Sequence, residues 1–183
     1  MKTKTLSERA AERDEMNRSH EDPFYLFALN DEAKDRLTRY IEEIPDTEEY
    51  WIPEKIPGDS REDFRVCDVH PPRRGTDVEL IGESILTRIN FKQYQFDINT
   101  FEFQVLRYKP GGRFDWHSDY GVAPNKKVWR KLSMSVQLSD PEDYEGGELV
   151  IVDYYNKYCT IPAKKGACVV FDSRCPHKAN PIT

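Results

Sequence analysis

The sequence predicts an α+β fold in which packing helices come first and a closed or sandwiched β core follows. Three observations carry that prediction. Two amphipathic helical stretches precede every strong strand, short β-rich runs separated by Gly, Pro and Asp turns fill the chain from Phe101 onward, and 183 residues are enough for one domain with a real core but too short for two comfortable ones.

Residues 1–22 are almost entirely polar, with Ala10, Ala11 and Met16 too sparse to form a burying stripe, so they read as a solvated arm ahead of a single domain at 23–183. After the apolar run Phe24 to Leu29, Asn30 is placed to cap a helix. Its apolar residues Ala33, Leu37, Tyr40, Ile41 and Ile44 fall at helical spacing before Pro45 stops it. Asp46 to Gly75, rich in Pro and charge, reads as a surface excursion containing one strand at Phe64 to Val69; His70 belongs to that excursion. Thr76 and Glu79 have capping-box spacing, and Val78, Ile81, Ile85, Leu86 and Ile89 predict a second amphipathic helix ending near Asn90. The runs FEFQVLRY, RFDWHSD, KLSMSVQL, ELVIVDYY, KYCTI and GACVVFD then predict strands.

Composition excludes several function classes. With 27 Lys and Arg against 33 Asp and Glu, the net charge of −6 argues against broad binding to a phosphate backbone. No apolar run approaches the roughly 18 residues of a membrane span, and the N-terminus lacks the apolar core of a secretory signal, so a cytoplasmic protein is expected. The four cysteines contain no Cys-x-x-Cys pair and are expected to be reduced thiols. Cys159, Cys168 and the Cys175-Pro176-His177 run match no zinc template, and the acidic loop SDPEDYEGGE lacks the spacing of a calcium loop and reads as a turn.

Chemistry concentrates in RFDWHSDYG. Alternation along a strand puts His117 and Asp119 on one side while Ser118 points away, an arrangement that serves equally as two metal ligands or as a surface hydrogen-bonded pair. Of the four histidines, His177 follows a late strand, and a jelly-roll barrel could bring it beside the pair to complete a triad of two histidines and one carboxylate with open metal positions. On KLSMSVQL, Leu132, Met134, Val136 and Leu138 share one face, leaving Ser133, Ser135 and Gln137 on a polar face that needs water or a ligand.

Taken in order, YKPGGRFDWHSD, RKLSMSVQLSDPEDYEGGELVI and KKGACVVFDSRCPHKANPIT resemble the Fe(II)- and 2-oxoglutarate-dependent dioxygenases, in their prolyl 4-hydroxylase-like branch. The resemblance runs over about residues 90–183. It implies a double-stranded β-helix core, jelly-roll and cupin-like, with His117, Asp119 and His177 binding Fe(II). It also implies 2-oxoglutarate chelating two further positions, O2 taking the last, and ascorbate as a further small-molecule ligand. By the same resemblance the Tyr108 hydroxyl contacts 2-oxoglutarate, and Ser133 and Gln137 line its pocket.

In related halogenases a small residue stands at the carboxylate position, so Asp119 implies hydroxylation, with succinate and CO2 as products. The implied substrate is a peptide side chain, proline first, or a small metabolite; Arg113, Asp115, Trp116, Tyr120 and Trp129 flank the site, with Trp116 expected to pack into the core. A nucleic-acid demethylase of the same chemistry and a non-catalytic cupin-type metal-binding module are the competing readings.

The resemblance also implies a basic residue on a strand after the distal histidine, clamping the far carboxylate of 2-oxoglutarate. The sequence given stops at Thr183, six residues past His177. The expectation is a missing last strand, ahead of the alternatives that Arg107, Arg130, Arg174 or Lys178 takes the role or that the co-substrate is not held in the usual way.

Overall fold

The computed structural model describes residues 23–57, 63–120 and 129–183. The predicted polar arm at 1–22 lies outside the described residues. Strands are β1 (Phe24–Ala28), β2 (Ile52–Pro57), β3 (Asp63–His70), β4 (Val105–Arg107), β5 (Arg113–His117), β6 (Leu132–Val136), β7 (Leu149–Val152), β8 (Tyr158–Thr160), β9 (Ala167–Asp172) and β10 (His177–Ala179). Helices are α1 (Asp31–Glu42) and α2 (Asp77–Ile89).

The strands form two antiparallel sheets, one in the order β1-β9-β6 and the other β2-β3-β5-β10-β7-β8, with β4 also paired to β3. β9 explains the layering. Its run ACVVFD is buried on both faces, which is why it reads as continuous rather than alternating apolar sequence. Cys168 and Val170 pack against Ile85, Leu86 and Ile89 of α2, together with Leu132, Met134 and Val136 of β6. Val169 and Phe171 face the other way, onto Ile151 of β7, Ile161 and Cys175. The order is therefore helices, three-stranded sheet, apolar core, and the sheet that carries His117 and His177.

Local sequence accounts for much of this. The Asn30 side chain accepts the Ala33 N–H at 2.8 Å, as its capping position predicts. Helix α1 ends at Glu42, short of Pro45. The expected capping box at α2 does not form. The Thr76 hydroxyl donates to the Arg73 carbonyl, and the Glu79 carboxylate accepts from Gly75 N–H, one residue ahead of the cap, because the preceding turn takes both groups. Gly82 sits inside α2 because a Cβ there would overlap the Phe103 ring. That contact also shortens the strand expected over 101–108: Phe101 and Phe103 turn to pack on the α2 cluster, and only Val105–Arg107 joins a ladder.

The reading of Asp46–Gly75 as a surface excursion is overturned. β2 and β3 pair along their lengths, and β3 also pairs with β4 and β5, which makes it a shared strand of the larger sheet. Its polar residues are buried in pairs. Asp68 lies between Arg107 and Lys109, at 2.9 Å from each. His70 is buried, with Nδ1 donating to the Tyr50 carbonyl at 2.9 Å and Nε2 accepting from the Tyr40 hydroxyl at 3.1 Å. Charge and proline marked this stretch as exterior only because their partners lie far away in sequence.

Candidate metal centre

His117 closes β5 and His177 opens β10, and these antiparallel strands pair with the two histidines directly opposite each other. Their ring centroids are 4.1 Å apart. Asp119 follows β5 and turns back between them: Oδ1 is 3.7 Å from His117 Nε2 and Oδ2 is 3.6 Å from His177 Nε2. Three ligand atoms thus lie within 4.8 Å of one another, and among the described residues no other such group of His, Cys, Asp or Glu forms. Donors each about 2.1 Å from one metal stand about 3 to 4 Å apart, so the set fits a single ion.

The local chain fixes both imidazoles. His117 Nδ1 lies 2.7 Å from the Asp115 carbonyl and His177 Nδ1 3.0 Å from the Cys175 carbonyl, each two residues upstream. A carbonyl only accepts, so both Nδ1 atoms carry the proton and both Nε2 lone pairs face the centre. Burial pulls the pKa of His117 down to about 4, and the adjacent His177 adds to the effect. At neutral pH His117 is therefore unprotonated and ready to ligate.

A bulge in β5 sets the orientation of His117. Two steps along β10, from His177 to Ala179, are matched by three along β5, from His117 to Phe114. The extra residue leaves Asp115 and Trp116 both exposed and puts Phe114 on the same side as His117, stacked on it with centroids 3.6 Å apart and planes at 16°. Phe64 meets His117 edge-on at 6.0 Å, and Phe171 meets His177 edge-on at 4.8 Å. Trp116 is consequently not in the core, contrary to expectation. It stands on the outer face, edge-on to Tyr158 at 5.6 Å and beneath the Lys178 ammonium at 5.2 Å.

The remaining predicted residues divide. Ser133 reaches the centre, its hydroxyl donating to Asp119 Oδ2 at 2.6 Å. Gln137, past the end of β6, instead donates to the Tyr144 hydroxyl at 2.7 Å. Tyr108 follows β4, and burial pushes its phenol pKa upward among Cys67, Arg65 and Glu54. Of the cations considered for a carboxylate clamp, Arg107 is bound to Asp68 and Asp46 and lies over Trp51, while Arg174 grips Asp172. Arg130 stands 4.0 Å from Asp119 Oδ1.

Sequence reasoning missed Arg65. Its side chain is 10% exposed, pairs with Glu54 at 2.8 Å, and lies over the Phe114 ring at 4.7 Å, one ring away from His117. Its only signal was an arginine inside a strand-like run, a position usually read as solvent-facing.

The chain leaving His177 is gripped by two glycine pairs. Gly111 N–H donates to the Ile182 carbonyl at 2.7 Å, Ile182 N–H to the Gly112 carbonyl at 3.0 Å, and Gly147 N–H to the Pro181 carbonyl at 3.1 Å. Gly146, at φ +75°, lies so close to Pro181 that a Cβ would overlap its carbonyl. The sequence expectation of a turn whose glycines admit close backbone approach is met here.

Two histidines on neighbouring strands of one antiparallel sheet, with a carboxylate just after the first of those strands, make the kind of donor set, with open coordination positions, found in non-haem Fe(II) oxygenases. Comparison with known proteins agrees. Residues 103–183 match the model of the 2OG-Fe(II) oxygenase superfamily. A PKHD-type hydroxylase of Pseudomonas aeruginosa is 37% identical over 112 residues, 56% of this chain and 49% of that protein. The chain thus spans about half the length of the curated relatives it matches. Among solved structures, a Pseudomonas putida prolyl-4-hydroxylase superposes with a TM-score of 0.68 at 20% identity, covering 94% of this chain and 91% of that one. A Trichoplax adhaerens prolyl hydroxylase, solved with a hypoxia inducible factor peptide, superposes with a TM-score of 0.65 at 18% identity, covering 98% and 88%. The fold is therefore the double-stranded β-helix of the prolyl 4-hydroxylase-like oxygenases. No described helix is long and apolar enough to cross a membrane.

Proposed function

We propose that this chain carries the core of a hydroxylase in which His117, Asp119 and His177 hold Fe(II), with 2-oxoglutarate as co-substrate and a peptide side chain as substrate. The observation that carries the reading is the convergence of the three ligand atoms with both Nε2 lone pairs turned inward. When bound, Fe(II) supplies oxygen activation coupled to decarboxylation of 2-oxoglutarate, giving succinate, CO2 and a hydroxylated product.

The chain's own residues prepare that chemistry. Two neutral imidazoles and one carboxylate leave a bound divalent ion with net positive charge, suited to an anionic chelating acid. Asp119 occupies the third protein position, which favours hydroxylation over halogenation. Phe64, Phe114 and Phe171 hold the imidazoles in place and keep water from their faces. Ser133, Tyr108 and Gln137 are proposed to border the co-substrate, with Ser133 the nearest to the ligands. The peptide-bound Trichoplax prolyl hydroxylase supports a peptide substrate. That the four cysteines are not joined in disulfides suits a reducing, cytoplasmic setting.

Fe(II) binding and succinate formation are measured on the wild-type chain and on Asp119→Ala. The expected result is loss of both together in the variant, with iron affinity falling about 100-fold. Unchanged iron content in Asp119→Ala would refute the assignment.

A further inference from the structure

Asp119 offers one oxygen toward each histidine, at nearly equal range. A carboxylate so placed can bind a metal through one oxygen or through both. The difference matters, because two-oxygen binding uses a coordination position that a chelating 2-oxo acid and dioxygen would otherwise take.

A pair of hydroxyls bears on that choice. Ser133 Oγ donates to Asp119 Oδ2 at 2.6 Å, and Ser173 Oγ lies 2.9 Å from Ser133 Oγ. A serine hydroxyl has one proton. Ser133 gives its proton to Asp119, so Ser173 must be the donor to Ser133, and the chain runs from Ser173 through Ser133 to the carboxylate, each link polarising the next. Ser173 is wholly buried and anchored from both sides. Its N–H donates to the Lys131 carbonyl at 3.1 Å, and its carbonyl accepts Tyr120 N–H at 2.9 Å. One residue thereby ties the segment bearing Asp119 to the strand bearing Ser133. Arg130, the other group facing the carboxylate, is half exposed and stands 4.0 Å from Oδ1, too far for a hydrogen bond.

We infer that Ser133 and Ser173 are positioning residues for Asp119: they hold Oδ2 in a hydrogen bond and leave Oδ1 as the single carboxylate ligand. The inference rests on the proposal that the triad holds a metal. Removing the hydroxyls frees the carboxylate to rotate and to chelate, at the expense of the co-substrate's positions.

The test uses Co(II), whose visible bands report coordination number, and 2-oxoglutarate added to the Co(II) form. Ser133→Ala is expected to lower Co(II) affinity about tenfold, to shift the visible bands before any 2-oxoglutarate is added, and to weaken 2-oxoglutarate binding by a similar factor. Ser173→Ala should shift the same bands in the same direction with a loss of about threefold. Because Ser173 is wholly buried, its effect reaches the metal through Ser133 and Asp119 rather than by touching the co-substrate. Ser133→Thr keeps the hydroxyl and should stay within about twofold of wild type. Melting curves of the metal-free variants separate a folding defect from this behaviour. A wild-type chain that binds no Co(II) removes the metal reading itself. Wild-type binding with superimposable spectra in both alanine variants overturns the positioning inference alone, as does a Ser133→Thr loss equal to that of Ser133→Ala.

Discussion

A histidine that serves as a metal ligand must be neutral and must present the correct nitrogen, and His117 meets both conditions from within its own strand. Burial holds its pKa at about 4 against an ordinary 6.5. As pH falls through that window the unfolded chain takes up a proton that the folded chain refuses, so stability is complete above about pH 6.5 and declines toward pH 4. Thermal melts of the metal-free protein should show this slope, and His117→Gln should flatten it. The convergence of the three proposed ligands was legible in sequence because two lie two apart and the third sits in an ordered set of motifs. The Ser133 contact with Asp119 was not, since it depends on how closely β6 approaches the turn after β5. Sequence pattern identified the polar face of β6 but could not say which atom it would meet.

At the level of elements, strand and helix positions were well marked where apolar spacing was regular, as in α1, α2, β6 and β9. They were poorly marked where pairing partners decide. β2, written IPEKIP, carries two prolines and shows its nature only when laid against β3. The glycine pairs around Ile182 show the converse case, a motif whose need for small residues was visible and whose partner was not. Gly146→Ala adds a side chain at positive φ and against the Pro181 carbonyl, and should destabilise the fold by about 2 kcal/mol. In a chain of this size that lowers the melting temperature by roughly 4–8 °C. The same variant should raise hydrogen exchange at the amides of 180–183, which directly follow β10. Wild-type melting with unchanged exchange would show that the close approach contributes nothing.

For the molecule as a whole, β9 is the wall shared by two apolar clusters, and the larger sheet is held to it through Ile151, Ile161 and Phe171. Ile151 is fully buried on the strand beside β10, so Ile151→Ala should cost roughly 3 kcal/mol. Equilibrium denaturation measures that cost directly, and a loss under about 1 kcal/mol would mean that the two sheets collapse onto the cavity. The general architecture, helices ahead of a β core, was readable from the order of periodicities; the division into two sheets was not, because the register between distant strands leaves no local mark. The bulge in β5 also bears on how such a chain tolerates loss of a codon. Deleting Asp115 removes the surplus residue and leaves Phe114 and His117 two apart, still on one face, whereas deleting Ser118 makes the histidine and the carboxylate neighbours on opposite faces. Co(II) titration of the two deletions should find binding in the first and none in the second, which makes the bulge the place where this strand can change length without losing its ligands.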